Sequence, residues 1–141
     1  MPVPEHLPDN LKKVGSAPHH DLFIADADDI LIVLPEEGFK DTAEASRLTV
    51  AALQEYARTL GRKCGLVIMA NNLLDQEPES RRVYAESIVP ELFFGITMVV
   101  TSPIPRIIGS MGLRLSALRV PITLVENVEA GIAWLETQRK E

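Results

Sequence analysis

The chain has 141 residues, of which 46% are hydrophobic and 24% charged, the balance of one globular domain of ordinary size. Twenty acids against fourteen Lys and Arg give a formal net charge of -6, which excludes a nucleic-acid binder held by phosphate contacts. The single cysteine, Cys64, rules out an internal disulfide framework, and no apolar run is long enough to span a membrane. With no apolar signal-peptide core in MPVPEHLPDN, the expected location is cytoplasmic.

Residues 1–20 read as an arm, because Pro2, Pro4, Pro8 and Pro18 interrupt any helix and leave room for at most a helical turn over 7–14. His6, His19 and His20 fall in this arm, without the cysteines or spaced carboxylates that would complete a metal site, so no metal and no cofactor is expected. The single domain is expected over 21–141. Its first feature is a hairpin: residues 21–25 and 30–34 are strands joined by the acidic turn Asp26-Ala27-Asp28-Asp29. The second of these strands is apolar at every position, the mark of burial on both faces. Asp28 and Asp29, like Glu36 and Glu37, are expected to be solvated turn residues.

A long helix is expected from Asp41 or Thr42 to Leu60, with a stripe of Ala45, Leu48, Ala52, Tyr56 and Leu60 and with Gly61 as its C-terminal cap. Residues 65–70 form an unbroken apolar strand, and 71–78 a polar loop. A second helix follows from Glu79 or Ser80 to Phe93, ended by Gly95, and 96–100 is another buried strand. Ser102-Pro103 is a helix-start signal, Ser supplying the capping oxygen and Pro the first helical position. Ile104, Ile107, Ile108, Met111 and Leu115 give that third helix its apolar face. A short strand at 121–125 and a helix over 127–137, with Val128, Ile132, Trp134 and Leu135, complete the chain. The predicted fold is therefore α/β: a mixed, mostly parallel sheet of about five strands with an N-terminal β-hairpin and four helices, in the order ββαβαβαβα.

Two blocks carry a family resemblance. They are Ser102-Pro103-Ile104-Pro105-Arg106-Ile107-Ile108-Gly109 running on to Leu113-Arg114-Leu115 and Pro121, and Glu129-Ala130-Gly131-Ile132-Ala133-Trp134-Leu135. With the element order, they resemble small bacterial proteins of the STAS-like fold, the sulfate-transporter and anti-sigma-factor-antagonist domain, itself similar to CRAL-TRIO lipid-exchange domains. The resemblance spans about 21–136. It implies a non-enzymatic regulatory or protein-interaction module, and as the alternative a carrier or sensor of a small anionic or lipid-like ligand between sheet and helices. Antagonist-type STAS domains carry a phosphorylated Asp-Ser-Ser-Gly turn at the start of the helix after the central strand. Here the region reads Asn72-Leu73-Leu74-Asp75-Gln76-Glu77-Pro78-Glu79-Ser80-Arg81-Arg82, with Ser80 near the helix start but no such turn.

No nucleophilic triad is available, since all three histidines precede the fold and no G-x-S-x-G elbow occurs. Cys64, beside Arg62 and Lys63, reads as a small buried residue at a strand start. The candidate binding residues are Asn71, Asn72, Ser80, Arg81, Ser102 and Arg106, which the topology gathers outside the carboxyl ends of the strands, where open α/β sheets bind ligands. At Ser102 the free backbone N–H groups and Arg106 suit an anion; an ordinary helix cap is the competing reading. A protein partner or a small anionic or lipid ligand is expected, with no nucleic acid, no membrane span, and a homodimer through the arm or Phe93-Phe94 as a candidate assembly.

Overall fold

The computed structural model describes residues 11–17, 20–24, 29–35, 39–69, 73–76, 78–99 and 119–139. In chain order the elements are β1 (Lys12–Ala17), β2 (His20–Ile24), β3 (Ile30–Pro35), β4 (Phe39–Asp41), α1 (Ala43–Leu60), β5 (Cys64–Met69), β6 (Leu73–Gln76), α2 (Pro78–Ser87), β7 (Phe93–Val99), β8 (Ile122–Val125) and α3 (Val128–Arg139). The main sheet has six strands in the order β1-β2-β3-β5-β7-β8. The first two pairings are antiparallel and the remaining three parallel, so the expected hairpin of β2 and β3 opens a parallel sheet.

The sheet separates two cores. Leu31, Val33, Leu66 and Ile96 point to the face that Leu53 and Ala57 of α1 cover, together with Ile88 just after α2. Ile30, Ile32, Val67 and Val99 point to the opposite face, where Val128 and Leu135 of α3 pack. Alternation along a strand sends successive side chains to opposite faces, so strands covered on both sides must be apolar throughout. The continuous runs Ile30–Leu34 and Cys64–Val67 are accordingly buried residue by residue.

Helix α1 begins and ends as its sequence dictates. The Thr42 hydroxyl accepts the Ala45 N–H at 3.2 Å, and Gly61 adopts φ 77°, where its N–H reaches the Ala57 carbonyl at 3.0 Å. Its buried face is rotated from the expected stripe. Ala45, Ser46, Thr49, Val50, Leu53 and Ala57 are inside, and Leu48 is 46% exposed. The polar Thr49 fits the core because its hydroxyl donates to the Ala45 carbonyl one turn back, at 2.9 Å. Gln54 joins α1 to α2 by donating to the Ser87 carbonyl at 2.8 Å, satisfying an end group of that helix.

Several expectations are corrected. Part of the arm is a strand: β1 pairs along β2, so cross-strand hydrogen bonding outweighs the weak local preference for a helical turn, and Val14 packs on the α1 side. Residues 73–76, read as part of a polar loop, form a parallel two-stranded sheet with 39–41, β6 with β4, so Asp41 ends a strand and the helix starts after Thr42. Helix α2 ends at Ser87, not Phe93, because Pro90 has no N–H to give and restrains Val89 before it. Phe93, Phe94 and Gly95 therefore belong to β7. Among the described residues there are three helices; the predicted third helix, with Ser102 and residues 104–115, lies outside them. No described helix is long and apolar enough to cross a membrane.

Candidate functional site

The carboxyl edge of the parallel sheet is where sequence reasoning set its candidates. Met69 and Val99 are register partners, so β5 and β7 end side by side at this edge. Strand β6 lies between β5 and α2, and Ser80 and Arg81 fall in the first turn of α2, which opens at this edge. Asn71, Asn72, Ser102 and Arg106 lie outside the described residues, as do His6, His19 and the apolar residues Ile104, Ile107, Ile108 and Met111.

The amino edge carries features that sequence reasoning missed. Asp29, expected in a solvated turn, is 6% exposed, and Arg139 at the end of α3 grips both its oxygens at 2.7 Å. The two residues are 110 positions apart, and no local pattern announces such a pairing. The same guanidinium lies 5.9 Å over the Phe94 ring, and the Asp29 carbonyl accepts the Gly65 N–H at 2.8 Å. One buried carboxylate thus binds the C-terminus of α3 to the start of β3, while its backbone ties β3 to β5.

Beside this clasp is a cleft of about 530 Å³. Among the described residues, Arg62, Lys63, Arg119, Arg139 and Asp29 supply its charged groups. Pro90, Phe94, Val120 and Pro121 supply apolar surface. The helices that run back from the carboxyl edge end here: Arg62 follows the cap of α1, Arg139 closes α3, and Arg119 donates to the Glu86 carbonyl of α2 at 3.5 Å. Cations at helix C-termini complement the helix dipole.

Two other readings meet the structure here. Cys64 is fully buried at the start of β5, its Sγ 3.9 Å from the Arg62 carbonyl, as a small core residue. Phe93 is 1% exposed within the chain's own core, while Phe94 is half-buried, lies under Arg139 and lines the cleft. No protein-family model, curated protein or solved structure matches the chain.

Proposed function

We propose that this chain is a non-enzymatic STAS-like regulatory or protein-interaction module, and that its partner surface is the carboxyl edge of the sheet. The observation that carries the reading is the common exit of β5 and β7 beside the opening of α2. The ends of these two strands mark one edge of a sheet whose two faces are already occupied by cores. An edge of this kind presents side chains to another protein without disturbing the packing beneath it. The six residues Asn71, Asn72, Ser80, Arg81, Ser102 and Arg106 are the ones this reading assigns to contact.

The test is reciprocal capture. The tagged chain is used to isolate a stoichiometric protein from its native host, and that protein, tagged in turn, must recover the chain. Arg81→Glu should abolish both captures while leaving the unfolding midpoint within a degree of the parent. A chain that elutes alone in both directions, or binding indifferent to charge reversal at position 81, overturns the proposal.

A further inference from the structure

We draw no further inference here: the strongest candidate, the surface patch on α1 around Leu48, which is 46% exposed, carries nothing because nothing in the structure shows what covers it.

Discussion

Gly65 and Gly95 are register partners on adjacent strands, and the side chain of Leu135 rests over both, 3.1 Å from where a Cβ would stand at either position. The pair forms a shallow seat that lets α3 approach the sheet closely. Gly131 continues the fit from the helix side, since a Cβ there would meet the Thr97 hydroxyl at 2.7 Å.

Adding a methyl to that seat should destabilise the protein. Gly95→Ala and Gly65→Ala are each expected to cost about 1–3 kcal/mol, the range for overpacking a filled core. Gly65→Ala should cost more, because its Cβ would stand 2.9 Å from the Phe94 ring in addition to Leu135. Urea midpoints at unchanged slope measure the order. A midpoint at or above that of the parent for both variants would mean that α3 does not pack this closely.

The two large residues of α3 should rank against their size. Leu135 is fully buried, and Leu135→Ala is expected to cost about 2–5 kcal/mol. Trp134 is only half-buried, with its ring beside Gly95 at the rim, and Trp134→Ala should cost less despite removing more atoms. The reverse order in thermal or chemical unfolding would contradict the burial pattern.

The clasp between Asp29 and Arg139 predicts an asymmetry. The Asp29 side chain is 8% exposed and that of Arg139 36%, so losing the arginine strands a buried carboxylate, while losing the aspartate frees a guanidinium that water can reach. Arg139→Ala should therefore destabilise by about 1–3 kcal/mol, below the fully buried range because one partner is partly solvated. Asp29→Ala should cost less, and the double variant less than the sum of the two. Additive effects in the cycle would refute the pairing.

The ends of α1 offer a cleaner measurement. Thr42→Ala removes the capping oxygen and should cost about 1 kcal/mol. Gly61→Ala should cost about 1–2 kcal/mol through its positive φ alone, because a Cβ there meets nothing within 4 Å. Gly61→Asn should recover part of that loss, since asparagine tolerates the left-handed region. Equal stability of the Gly, Asn and Ala forms would remove the conformational argument.

Much of the architecture was legible because its signals are local. Runs such as Ile30–Leu34 announce a strand covered on both faces, and Thr42 and Gly61 mark helix ends by chemistry that acts within a few residues. What escaped depends on partners far along the chain. Lys12–Ala17 has no strong strand pattern of its own and is a strand because β2 stands beside it. Phe39–Asp41 and Leu73–Gln76 pair with each other across an intervening helix and strand. The stripe on α1 was misjudged because Leu48 is apolar yet exposed, and Thr49 polar yet buried, its hydroxyl satisfied by the helix itself. For the candidate site, strand direction is legible and sets the edge at which β5 and β7 end together. The amino-edge cleft is not, since it is assembled from Asp29, Arg62, Arg119 and Arg139, which only the folded chain brings together.

The strand order also bears on how the protein is made. Every strand of the main sheet, from β1 through β2, β3, β5 and β7 to β8, joins the edge left by the strand before it in that sheet. None has to be threaded between two that are already paired, so the sheet can be extended in the direction of synthesis as each segment leaves the ribosome. Helix α3 is then the last described element to emerge. Its final arginine reaches back to a carboxylate at the start of β3, and closing that contact records that the intervening strands have taken their places.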